Sequence, residues 1–314
     1  MTLTPPRLEH PGPGAVERLS SVDDLARSAL IPLLPGRPLL SPLAGYLRSV
    51  GHDSAFVEFL PGRLSPVSYC VPTDGDGVER LVGYSEERHR DDVQLLMASA
   101  TVGLRAGEAF MHCHALWRTP GGQLEGGHLW PGATAGPTPP LAVLTPLPSV
   151  AWTSADDPET RMPVFTPTPR NTHTTPGPGT HEETDMHPRH EADRLRPTPT
   201  VVARVLPNED LSLAAERLCA ERGWKLAVVR AGLGSLTGAR FAGDDGEPPR
   251  EVDGPGTEIV AVTGTVRADP GAAGALRADL AATLVDKHGR VHAGRLLRGL
   301  NPVAVTFELT LQRV

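Results

Sequence analysis

The sequence predicts an α+β fold of two related modules, each a mainly antiparallel sheet with one or two packed helices, joined by a Pro/Thr-rich linker. Three observations carry this expectation. Residues 33–64 can be laid on 205–236 without a gap, each copy surrounds one helical pattern with several short apolar runs, and the stretch 131–200 holds 15 Pro and 14 Thr. At 314 residues the chain is long enough for two domains. With 33 glycines and 33 prolines it carries too many breaks for a helix bundle or coiled coil. The expected bounds are an N-terminal tail at 1–31, a first module with a C-terminal extension at 32–164, a flexible linker at 165–198 and a second module at 199–314.

The elements follow in order. In the first copy Ser41 is the expected N-cap and Pro42 the first helical residue; Leu43, Tyr46, Leu47 and Val50 recur at helical spacing until Gly51 ends the helix. The second copy places Leu211, Ala215, Leu218 and Cys219 on the matching face, and Gly223 meets Gly51. Leu34-Pro35 meets Leu206-Pro207, and Gly62-Arg63-Leu64 meets Gly234-Ser235-Leu236. Each helix leads into an apolar strand, 55–60 or 226–231, and then a strand rich in residues suited to a pleated surface, 93–102 or 257–266. A hairpin closes each unit, turning at Thr119-Pro120-Gly121-Gly122 or Asp286-Lys287-His288-Gly289. The segment TPTPRNTHTTPGPGTHEETD cannot sustain a ladder or a helix, because proline removes the donor each needs.

Charge and cysteine usage narrow the function classes. The 30 Lys and Arg against 37 Asp and Glu leave a net charge of -7, the wrong sign for a chain that binds phosphate backbones nonspecifically. Cys70, Cys113 and Cys219 are widely spaced and odd in number, so neither a disulfide framework nor a cysteine zinc site is expected, and a reducing cytoplasm fits. No basic run with an apolar follow-on opens the chain, and no stretch reaches the roughly 18 apolar residues of a membrane span.

The first hairpin carries the chemistry. His112 and His114 are two apart on a strand, so they share a face about 6.5–7 Å apart at the backbone. His128 returns on the next strand behind Gly126 and Gly127, which leave room for close approach. Three imidazoles from two strands make a His₃ set with an open fourth position, the pattern of a catalytic zinc or another divalent transition metal. Set against this, a lone His-x-His is more often a pair of ordinary strand histidines, and twelve histidines are spread along the chain. The equivalent positions of the second copy are Asp279, Ala281 and Arg295, which hold no metal set. Glu125 and Glu58 are the candidate catalytic carboxylates, able to orient a water or a ligand imidazole, although exposed strand carboxylates are commoner. Cys113 alternates to the opposite face and reads as core. His173, His181, His187 and His190 sit in the polar linker, where solvated side chains are the ordinary outcome.

The run HCHALWRTPGGQLEGGHLWPG, with the upstream helix, the Gly-Arg-Leu turn and VQLLMASATV, resembles the plants and prokaryotes conserved (PPC) domain. In the second copy RVLPNEDL, AERGW, GLGSL and EIVAVTGTV are similar to the first half of that family, without its metal-type histidines. The resemblance covers about 32–145 and 200–314. It implies a compact α+β domain assembled as a homotrimer with sites near subunit interfaces, and a metal on the positions of His112, His114 and His128. The plant members carry AT-hooks and associate with DNA; here Pro35-Gly36-Arg37-Pro38 lies among leucines and reads as a turn ahead of a helix.

Three functions are therefore expected to compete. The first is a metal-dependent hydrolase, isomerase or lyase acting on a small molecule, with the second copy as one wall of the pocket. The second is a DNA-associated regulator, which the charge and the missing hook disfavour. The third is a ligand-binding homo-oligomer without turnover.

Overall fold

The computed structural model describes residues 6–170, 196–243 and 247–314. Most of the described chain is strand, in two large sheets, with two α-helices among the described residues: α1 (Leu40–Ser49) and α2 (Leu211–Glu221).

Both sheets share one layout. In the eleven-stranded sheet Ala29–Pro32, Leu141–Pro146, Ala55–Phe59, Val93–Arg105, Glu108–Arg118 and Leu124–Leu129 lie side by side in that order. In the seven-stranded sheet the order is Thr198–Val205, Val303–Arg313, Leu226–Leu236, Thr257–Ala268, Leu276–Val285 and Val291–Arg295. Along the chain, each half lays its last of these strands between its first and second. The neighbours in both runs are antiparallel. A parallel pairing joins Thr153 to Leu104, where the hairpin Val150–Asp156/Pro163–Pro169 docks on the first sheet.

The expected matches between the copies hold at the turns. Gly51 and Gly223 end the two helices at φ 75° and 64°, a region that only glycine adopts freely. Thr119 and Asp286 open the two hairpin turns, each taking hydrogen bonds on its side chain, from Gln123 N in one and from His288 N and Arg290 N in the other.

The helices pack as their patterns require. Leu43 and Leu47 of α1 are buried, as are Leu211, Ala215, Leu218 and Cys219 of α2, whereas Val50 is exposed. The start of α1 differs from expectation. Leu39, not Ser41, is its N-cap and makes no side-chain cap bond. Pro42 is tolerated inside the first turn because those N–H groups lack intrahelical acceptors anyway. In α2 Asp210 caps the helix by accepting from Leu213 N at 3.0 Å.

Two further segments depart from the sequence reading. Leu19–Ala26, within the segment read as a tail, is a strand paired with Thr198–Val205 at the edge of the second sheet. Arg18 holds Glu159 with two hydrogen bonds, at 2.7 and 2.9 Å. Pro163–Pro169 is a strand although it enters the segment read as linker. Residues 171–195, with His173, His181, His187 and His190, lie outside the described residues. Arg37 N donates to Leu34 O at 3.1 Å, so Pro35-Gly36-Arg37-Pro38 is the expected turn before α1.

The halves are also packed together. Val260 and Val285 of the second sheet sit in the core of the first, and Phe56, Trp152 and Phe165 share a cluster with Val22, Val202 and Ala231. No helix among the described residues is long and apolar enough to cross a membrane.

Candidate metal centre

Register brings the histidines together. His114 lies directly opposite His128 in the Glu108–Arg118/Leu124–Leu129 ladder, and His112 shares the face of His114. The three ring centroids are 4.7, 5.0 and 5.3 Å apart, and one nitrogen from each ring falls within 4.8 Å of the others. Gly127 makes this possible. A Cβ there would stand 2.3 Å from the carbonyl oxygen of Cys70 on the next strand, and φ at this residue is +156°. Gly127→Ala is therefore expected to cost about 1–3 kcal/mol in a urea denaturation and to displace His128; a variant as stable as the parent would contradict this role.

The second half supplies what surrounds the rings. His112 Nδ1 lies 2.8 Å from Oε1 of Glu308, and His114 Nδ1 lies 2.8 Å from the carbonyl oxygen of Ile259. Both partners accept, so both Nδ1 atoms carry the proton and donate, and the two Nε2 atoms are turned toward each other. Those two Nε2 atoms are 3.1 Å apart. At that distance a proton or a metal cation has to lie between them. His128 Nδ1, Glu258 Oε2 and Glu308 Oε2 are buried without a hydrogen-bond partner among the described residues. Burial, then repulsion from His112 and His128, pushes the His114 imidazole well below its ordinary pKa; burial and His112 do the same to His128. Neutral imidazoles whose far nitrogens donate to a carboxylate and a carbonyl are what a divalent metal requires of its ligands.

Glu258 lies beside the inward-facing nitrogens, with Oε1 3.7 Å from His114 Nε2. Burial raises its pKa well above the ordinary range. The rings form one wall of a cavity of about 320 Å³, lined also by Glu258, Tyr84, Trp130, Phe110, Phe165, Val305 and others from both sheets.

The two carboxylates singled out in the sequence are placed elsewhere. Glu125 accepts from Arg90 Nε at 2.9 Å and Nη2 at 3.0 Å, Glu58 accepts from Arg230 at 2.7 Å, and neither lines the cavity. Cys113 is buried in the core of the first sheet, where burial raises its thiol pKa. In the second sheet Ala281 faces Arg295 as His114 faces His128, and Arg295 Nε donates to Asp279 at 2.5 Å. An ion pair thus stands where the first sheet has its histidines.

Sequence reasoning missed Glu258 and Glu308, which reach the site from at least 130 residues beyond His128. A signal was present. Each is a lone carboxylate in an apolar run, TEIVAV and VAVTFELTL, a setting acidic residues rarely occupy unpaired.

An antiparallel α+β module, repeated in layout and carrying a buried His₃ cluster, is the class these features define. Residues 193–314 match the family model of the Plants and Prokaryotes Conserved (PCC) domain. No curated protein matches the chain. Among solved structures, it is similar to a metal-containing protein from Archaeoglobus fulgidus (21% identity, TM-score 0.37, covering 44% of this chain and 92% of the other). It is similar too to a candidate DNA-binding protein from Ralstonia eutropha JMP134 (21%, 0.36, 43% and 88%). A plant- and prokaryote-conserved protein from Pyrococcus horikoshii also matches (20%, 0.31, 36% and 77%).

Proposed function

We propose that the chain is a tandem of two such modules and a metal-dependent enzyme acting on a small molecule, with zinc or a similar divalent ion held by His112, His114 and His128. The observation that carries the reading is the convergence of one nitrogen from each of the three imidazoles within 4.8 Å, with the Nδ1 atoms of His112 and His114 held by Glu308 and the Ile259 carbonyl. Bound there, such an ion would supply Lewis acidity. The protein supplies the rest. Glu308 and the Ile259 carbonyl hold two imidazoles in one tautomer, the apolar walls exclude water, and Glu258 Oε2 is free to hold or pass a proton inside the cavity. The second module contributes the buried carboxylates and has exchanged its own ligand positions for an ion pair, a division of labour between diverged copies.

Protein supplied with zinc is expected to hold about one ion per chain and to turn over a member of a small-molecule ester, amide and carbonyl panel. Glu258→Gln should reduce that turnover about 100-fold or more while the zinc content stays. Equal turnover in the variant, or no zinc uptake by the parent, would remove the reading.

A further inference from the structure

The cavity holds one feature that the metal site does not use. Two arginines, Arg80 and Arg105, line it, and both are exposed, whereas His114 and Glu258 are among its most buried lining residues. The guanidinium of Arg105 lies 5.3 Å from the centroid of Phe110, itself a lining residue, and pairs with no carboxylate among the described residues. Arg80 likewise forms no guanidinium ion pair among the described residues, although its other side borders the acidic surface of Asp76, Asp156 and Asp157. Of the charged side chains nearby, Arg161 pairs with Glu79 and Arg204 with Asp157. A guanidinium set on an aromatic face and left unpaired at a cavity rim is a ready planar donor for a carboxylate.

The rest of the lining is mostly apolar, with Phe110, Met162, Val164, Phe165 and Val305 beside a few serine and threonine hydroxyls. We propose that the cavity takes a small organic carboxylate, its carboxylate on Arg105 with support from Arg80 and its apolar body against the paired rings of Phe110 and Phe165, so that a polar group reaches the histidines. The volume of about 320 Å³ is at the low end for small-molecule sites, which limits the ligand to a compact acid. The proposal rests on the metal-site reading for what happens at the far end of the ligand, but not for the contact at the rim.

The test uses the full chain and calorimetric titration with 3-phenylpropionate, 3-phenylpropanol and 2-phenylethyl phosphate, each with and without one equivalent of zinc. The acid is expected to bind at least tenfold more tightly than the alcohol, and Arg105→Gln to lose at least tenfold for the acid while leaving the alcohol unchanged. Arg80→Gln should lose less than Arg105→Gln. Equal binding of acid and alcohol, no binding of the acid, an Arg105→Gln variant that binds it as the parent does, or tighter binding of the phosphate would each overturn the proposal. Zinc content measured on the same samples separates the two readings: Arg105-dependent binding of the acid in a protein that takes up no zinc would remove the metal centre and leave the carboxylate site standing.

Discussion

Alanine at any one of His112, His114 or His128 is expected to weaken zinc binding about 100-fold or more, because on the proposed reading each imidazole is one of three ligands. The effect should be graded by distance from the ion. Glu308→Gln, which keeps the shape but weakens the acceptor for His112 Nδ1, is expected to cost about 10- to 100-fold. Glu125→Gln should cost nothing, since that carboxylate is held by Arg90 away from the cavity. Zinc titration against a competing chelator measures the series, and circular dichroism shows whether each variant is folded. A folded His128→Ala protein with the parent's affinity would end the metal assignment.

The second large effect is expected in stability. Arg204 donates to Asp157 Oδ2 at 2.5 Å with both side chains nearly buried, and its other nitrogens reach Thr166 and Thr306. This cluster ties the Val150–Asp156/Pro163–Pro169 hairpin, which forms part of the cavity wall, to the second sheet. Arg204→Met leaves Asp157 buried without its cation and is expected to cost about 3–5 kcal/mol. Arg204→Met with Asp157→Leu should recover most of that loss, because no buried charge remains. A single variant within about 1 kcal/mol of the parent in urea would contradict the assignment.

The same pair sets an acid limb. Burial pushes the Asp157 pKa up, but hydrogen bonds from Thr160 and the Arg204 guanidinium outweigh it and hold the carboxyl below its ordinary value. The group's folded pKa is therefore depressed, so its stabilisation is present above the unfolded pKa of about 3.9 and is lost as pH falls through the folded value. Thermal unfolding of the parent should lose stability below about pH 4 more steeply than that of the double variant. Parallel profiles would show that Asp157 is not linked to folding.

Much of the site was legible in the sequence because hairpins are local. Thr119 to Gly122 fixes where the chain reverses, the two-residue period of a strand puts His112 and His114 on one face, and the count back from the turn places His128 opposite His114. Gly126-Gly127 marked the close approach that Cys70 now explains. The duplicate elements were legible for the same reason, since helix stops such as Gly51 and Gly223 and turn residues such as Asp286 act within a few positions. Ser41 misled because a helix start with no side-chain cap leaves no residue signature.

What the sequence by itself determined is the pattern the two halves share, a helix leading into a strand, a further long strand and a hairpin, and which hairpin carries three histidines. Only the tertiary structure decided what those histidines face. The pairing of Leu19–Ala26 with Thr198–Val205, the partners Glu308 and Ile259, and the turning away of Glu125 and Glu58 toward arginines all depend on contacts between residues far apart in the chain. Periodicity reports which face of a strand is buried, because burial follows from the local alternation of apolar side chains. It carries no information on which distant surface covers that face, and here that surface supplies the carboxylates of the site.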